Sequence, residues 1–266
     1  MRFAIEEMIW VFYREVLRLR KVLMGVIFLL LAGMFSLSAN AKDFPFVYHL
    51  TFDDGKGEEA EDESGNGNNG KLVNAEWTKD GKFGGAVDLP GGNSYVEIVV
   101  DVPEENFTMA AWIKTEDGGG GIMSVLDGAA GGGGHDRHFF LVNGKLSIRV
   151  WPGGAWATDG EVADGEWHHV ALTTETGTGQ VAYVDGENVG EWEFDHSNFD
   201  WQKRVWIGFS NDAGSDYIDA IIDEPMYIDD VLTEGEISEI MDFSGAAVDA
   251  AGKLPAIWGN IKTASY

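Results

Sequence analysis

Cysteine is absent from all 266 residues. No disulfide can staple the fold, and the lipid-anchored lipoprotein route, which needs a cysteine, is closed. Positive charge is scarce: 18 lysines and arginines stand against 45 aspartates and glutamates, a net charge of −27. A field of that sign repels nucleic acid and anionic membrane and attracts cations. No serine sits in a nucleophile elbow, so acyl transfer has no support. Two four-glycine runs, at 118–121 and 131–134, are not followed by Gly-Lys-Ser/Thr opening a helix, which argues against a phosphate cradle. They read as long loops at one end of a β fold. No internal repeat is visible.

Long hydrophobic runs are also lacking, with one exception. Residues 22–37 form an apolar run of about sixteen, short of the ~20 that a spanning helix needs. Arg14, Arg18, Arg20 and Lys21 precede it, and Ala39-Asn40-Ala41 follows with the small residues a signal peptidase reads. Residues 1–41 are therefore expected to be a signal peptide, with an uncleaved membrane anchor as the alternative. Glu6, Glu7 and Glu15 are unusual in such a segment, which makes Met24 an alternative start. Cleavage before Lys42 leaves 225 residues, secreted or on the cell surface, enough for one large sandwich core. That part carries 13 basic and 42 acidic residues, a net charge of −29.

What is present is strand pattern. Residues 164–190, DGEWHHVALTTETGTGQVAYVDGENVG, hold two strand-forming runs at 167–174 and 180–184. The Asp185-Gly186 pair folds the chain back, because type I′ turns need positive φ at both central residues. Val181 and Tyr183 are expected on one face, Ala182 and Val184 on the other. Alternation also marks 46–52 (Phe46, Tyr48, Leu50, Phe52) and 107–114 (Phe107, Met109, Ala111, Ile113). Further strands are predicted at 71–73, 86–89, 95–99, 122–126, 139–142, 146–151, 204–210 and 217–228, with a turn at Asn143-Gly144. A capping box, Thr233 with Glu236, opens the only predicted helix, which turns Ile237, Ile240 and Met241 to one side.

Three stretches carry a resemblance. The "G-E-W-H-H-V-A" strand with "Y-V-D-G-E-N-V-G" is similar to laminin-G-like jelly rolls of the concanavalin A-like lectin/glucanase superfamily. LTFDDGKGEEAEDESGNGNNG at 50–70, followed by GKFGGAVDL and SYVEI, resembles their opening, and IDEPMYIDDVLTEGEISEI at 222–240 their closing strand and helix. The resemblance implies an all-β, antiparallel two-sheet β-sandwich over 42–244, with one short helix near the C-terminus and a tail at 245–266. It implies a non-catalytic module binding an extracellular glycan or, alternatively, a protein partner. A glycoside hydrolase is the reading from another class.

The chemistry these residues suggest is threefold. Calcium wants six to eight hard oxygen ligands. Asp62, Asn66 and Asn68 lie on a glycine-punctuated loop, and Asp53 leaves the adjacent strand end. The resemblance adds Asp223 and Glu224 of the closing strand, although Pro225 donates no ladder bond and is expected to bulge that strand. A calcium-stabilised fold is the resulting expectation. Flat indoles stack on sugar rings, and Trp151 and Trp156 flank Pro152-Gly153-Gly154, which makes them the candidate ligand platform. Trp192 and Trp201 bracket a second acidic loop, while Trp112, Trp167 and Trp206 read as core. The same-face carboxylates Glu191, Glu193 and Asp195 are the nearest approach to a glucanase dyad and read as a solvated face. His168 and His169 point to opposite faces, His169 as a satisfied core residue. His135 and His138 are placed in a glycine-rich loop.

Overall fold

The computed structural model describes residues 44–128, 135–194 and 202–243. The expected signal segment at 1–41, the tail at 245–266, and Asp195, Trp201 and Trp258 lie outside the described residues. Among the described residues the elements run β1 (Phe46–His49), β2 (Glu59–Ala60), β3 (Gly70–Val73), β4 (Glu76–Thr78), β5 (Ala86–Pro90), β6 (Tyr95–Ile98), β7 (Phe107–Lys114) and β8 (Gly119–Leu126). Then come β9 (His135–Val142), β10 (Lys145–Val150), β11 (Ala155–Glu161), β12 (Trp167–Glu175), β13 (Gly179–Val184), β14 (Glu187–Trp192), β15 (Arg204–Ile207), β16 (Asp219–Ile228) and helix α1 (Glu234–Met241).

The strands form two antiparallel sheets, the jelly-roll β-sandwich that the patterns implied. The first runs β14-β13-β12-β7-β16-β5-β4, with β1 beside β16; the second runs β11-β10-β9-β8-β15-β6-β3-β2. Phe107, Met109, Ala111 and Ile113 of β7 share the principal core with Val125, Phe139, Leu141 and Ile148 of the second sheet. Ala182 and Val184 point into that core, while Val181 and Tyr183 face the other way, as the alternation predicts. The turns are also as predicted. Asn143-Gly144 and Asp185-Gly186 have φ of 54° and 80°, and 52° and 81°.

The outer face of the first sheet is covered by α1. Ile237 and Ile240 join Leu232 and Phe44 over Ala110, Ala171 and Met226. Burying each isoleucine contributes about 1.5–3 kcal/mol. The capping box holds the helix start: Thr233 N donates to Glu236 Oε2 at 2.8 Å, and Glu236 N to Thr233 Oγ1 at 3.4 Å.

Four expectations need correction. Three glycines of the first run lie inside β8 rather than in a loop. A Cβ at Gly121 would stand 1.8 Å from the backbone nitrogen of Ser210, so only glycine lets the crossing segment lie there. His135 and His138 belong to strand β9, not to a loop. Phe46 leaves its expected row, because a bulge between Phe46 and Tyr48 turns it toward the outer cluster. Trp167 is only half-buried, whereas Trp112 and Trp206 are buried as expected, packed on the outer faces of their sheets.

Candidate functional site

The 62–69 loop is self-contained. The half-buried Asp62 carboxylate accepts the backbone amides of His49 (3.0 Å) and Ser64 (3.0 Å) on Oδ1 and of Asn68 (2.9 Å) on Oδ2. Asn66 donates its amide to the carbonyls of Phe46 (2.6 Å) and Val47 (3.2 Å), and Asn68 donates to Val47 (2.7 Å). The side chains therefore latch the loop to β1. Asp53 and Asp223 serve a different segment. Gly85 N donates to Asp53 Oδ1 at 2.7 Å, and Phe83 N to Asp223 Oδ2 at 2.9 Å.

Five of the expected calcium ligands, Asp53, Asp62, Asn66, Asn68 and Asp223, thus fall into two groups that pin two loops. The aspartate oxygens receive backbone N–H donors, and the carbonyls of Phe46 and Val47 receive the Asn66 and Asn68 amides. Among the described residues no group of three or more histidine, aspartate or glutamate side chains is placed to share a metal ion. In this arrangement the aspartates act as backbone anchors and the asparagine amides as donors. The spacing of acidic residues in sequence could not show which way each oxygen would be spent.

The bulge expected at Pro225 is present, with the register broken between Asp223 and Met226 and Glu224 held at φ 50°. It buries both acidic side chains. Asp223 is fully buried, and that burial raises its pKa to about 8 against the opposing backbone bonds, with the charge of Glu224 adding to the rise. Glu224 pairs with the buried His49, whose ring stacks on Phe46 at 5.2 Å between centroids.

On the first sheet, His168 bridges Asp185 (2.8 Å) and Asp164 (3.0 Å). Partial burial opposes its charged form, but those two hydrogen bonds and charges outweigh it and raise the pKa. His169 is fully buried against Trp112, and burial lowers its pKa to about 3. Neither ring nitrogen has a hydrogen-bond partner among the described residues, so it is not the satisfied core histidine expected from its position.

The arrangement best suited to ligand recognition lies on the outer face of the second sheet. The ladder places Lys71, Glu97, Trp206, Ser124, His138 and Arg149 in one row across β3, β6, β15, β8, β9 and β10. Tyr95 stacks on Trp206 with centroids 3.6 Å apart and planes 10° from parallel. Phe209 and Tyr217 extend this apolar patch. Beside it, His138 Nδ1 lies 2.9 Å from Ser124 Oγ and 2.8 Å from Ser210 Oγ, and its Nε2 lies 3.5 Å from Asp212. Arg149 Nη1 donates to both Asp212 oxygens, at 2.5 and 2.6 Å. Its guanidinium stands 5.3 Å from the ring of Trp151, which is 44% exposed.

The structure separates the two candidate tryptophans. Trp151 borders this face. Trp156 pairs with Ile148 and packs half-buried on the core, 6.0 Å from Trp192 and against Gly190. Arg149 and Asp212 escaped sequence reasoning because 63 positions separate them; His138 was noticed, but without its strand. Glu191 lies exposed on edge strand β14, where it accepts the Asn188 amide at 2.8 Å, and Glu193 is exposed beyond the strand end.

An open cleft of about 630 Å³ on the first sheet is lined by Asp88, Glu116, Asp117 and Asp219 around Lys114. Asp117 spends its carboxylate on the backbone amides of Gly119 (3.1 Å) and Asp219 (3.3 Å).

A two-sheet jelly roll with a polar and aromatic outer face defines a lectin-like sandwich. Residues 90–238 match the family model described as the concanavalin A-like lectin/glucanases superfamily, and the chain belongs to that superfamily. No curated protein matches the sequence. Among solved structures, the binding domain of Paraclostridial Mosquitocidal Protein 1 is similar, at 15% identity and a TM-score of 0.56 over 74% of this chain and 52% of that one. The botulinum neurotoxin serotype D ligand-binding domain, in complex with N-acetylneuraminic acid, gives 15% and 0.56 over 76% and 51%. The Trypanosoma rangeli sialidase, with the inhibitor DANA, gives 16% and 0.56 over 73% and 32%. The chain spans about half the length of the first two, and at these identities the likeness is one of fold.

Proposed function

We propose that this protein is an exported, non-catalytic module that binds an extracellular glycan on the outer face of its second sheet. The observation that carries the reading is the exposed Trp151 indole beside an Arg149–Asp212 pair held in fixed geometry. A flat ring offers the apolar face of a sugar a stacking surface. The oriented donors and acceptors beside it match ring hydroxyls; Arg149 is set by strand β10 and holds the loop residue Asp212 through their ion pair. The similarity to two toxin binding domains supports a binding role. A hydrolase needs two carboxyl groups about 5–5.5 or 6.5–9.5 Å apart around the scissile bond; Glu191 instead lies on a solvated edge strand.

The test is a glycan array probed with the purified protein and with Trp151→Ala. Signals on defined glycans that vanish in the variant, at unchanged melting temperature, are the expected outcome. Signals that survive the substitution move the site elsewhere, and capture of a protein receptor with a blank array favours the adhesion reading.

A further inference from the structure

The charges on this face point to the kind of glycan it takes. Both arginines of the row region are already neutralised within the fold. Arg149 is held by Asp212 through Nη1, with both side chains mostly covered at 17% and 18% exposure. Arg204, adjacent on β15, pairs with Glu97. Lys203 next to Arg204 holds Asp101 at 2.8 Å, and the exposed Lys71 lies five strands from Arg149, roughly 24 Å away at ~4.8 Å per strand. The whole chain carries a net charge of −27, so the long-range field adds to the local balance rather than relieving it.

We infer that the Trp151–Arg149–Asp212 face binds uncharged glycans and discriminates against acidic ones, such as those ending in N-acetylneuraminic acid. The inference rests on the binding-module reading above and adds the ligand class. Asp212 takes Nη1 alone, so a ligand carboxylate approaching the rest of the guanidinium meets a charge already offset within the pair. It would also lie beside the Asp212 carboxylate, and like-charge juxtaposition at an interface is strongly unfavourable. Hydroxyl groups meet no such obstacle. They can donate to Asp212 and accept from Arg149 without disturbing the pair, and a neutral ring is not repelled on approach.

The experiment is an array of matched pairs, each neutral glycan printed beside its sialylated or sulfated counterpart, probed with the wild-type protein and with Asp212→Asn. Asparagine keeps the size of the side chain and removes its charge, leaving the arginine able to receive an anion. For the wild type, neutral members are expected to bind at least about tenfold better than their acidic partners, the factor that corresponds to about 1.4 kcal/mol. Asp212→Asn is expected to shift that ratio toward the acidic members by about tenfold or more. Melting curves of the variant confirm that it is folded, and Asp212→Ser serves as a second uncharged replacement. Stronger wild-type binding to acidic members overturns the inference and leaves the module reading intact. A ratio unmoved by both variants also overturns it, because the Arg149–Asp212 pair would not set the selectivity. An array blank for both proteins overturns the glycan-binding reading and the inference together.

Discussion

Asp62 accepts the backbone amide of His49 at 3.0 Å across thirteen positions, tying the start of an acidic loop to the end of β1. Two further amides reach the same carboxylate. A part-buried ionised acceptor with three N–H donors is an internal anchor, and its removal leaves those donors to find water. Asp62→Ala is expected to cost about 2 kcal/mol, which lowers the melting temperature by roughly 4–8 °C in a domain of this size. The wild-type melting temperature is expected to agree within about a degree in calcium, magnesium and chelator at equal ionic strength. A calcium-specific rise of several degrees, lost in Asp62→Ala, would restore the metal reading. Differential scanning fluorimetry measures both.

Three buried or bridged groups set the pH dependence of stability. Asp223 has a folded pKa of about 8 against an ordinary 3.8, so its contribution is complete below about pH 4 and is lost as the pH rises through 8. His168, raised above 6.5, likewise loses its contribution as the pH rises through its folded value. His169 runs the other way: lowered to about 3, it is fully favourable above 6.5 and loses ground as the pH falls. Between 6.5 and 4 the Asp223 and His169 slopes oppose each other. Between 6.5 and 8 nothing offsets Asp223, and about 2 kcal/mol disappears at about 1.4 kcal/mol per pH unit. The melting temperature is expected to drop by roughly 4–8 °C over that interval. His168→Asn should make the decline shallower, and a flat profile from 6.5 to 8 would show Asp223 already ionised in the fold.

The two tryptophans are expected to behave differently. Trp151→Ala removes an exposed ring and should change the melting temperature by under about 1 kcal/mol equivalent while abolishing glycan signals. Trp156→Ala empties a site packed on Gly190 and Trp192 and should cost about 3 kcal/mol, near the low end for aromatic truncations. Thermal melts of both variants alongside the array separate the roles.

Glu191 and Glu193 are solvated at the edge of the first sheet, so replacing both with glutamine should leave melting temperature and glycan binding nearly unchanged. Purified protein is expected to release no reducing sugar. Release that the double substitution abolishes would identify a hydrolase.

The fold was largely legible because its signals are local. Period-two alternation placed Phe107, Met109, Ala111 and Ile113, and Asp-Gly and Asn-Gly pairs placed two turns whose φ values match. The start of β8 was hidden, since Gly119 to Gly121 have no side chains to alternate. Gly121 is required by a segment 89 positions away, and no window of sequence reports that distance. The site was less legible for the same reason. Asp53, Asp62, Asn66 and Asn68 looked like ligands by type, yet the direction of each oxygen depends on backbone amides from β1 and from the 82–85 loop. Arg149 and Asp212 are ordinary surface residues until strand register sets them together.

The row across the second sheet draws one residue from each of six strands. The row itself cannot be moved by exchanging a loop, whereas Trp151 follows β10 in a turn and Asp212 lies in the loop after β15. On the proposed reading, selectivity would therefore change in two ways: by single substitutions at ladder positions such as 138 and 149, whose strands stay in place, and by exchange of the loop that carries 212.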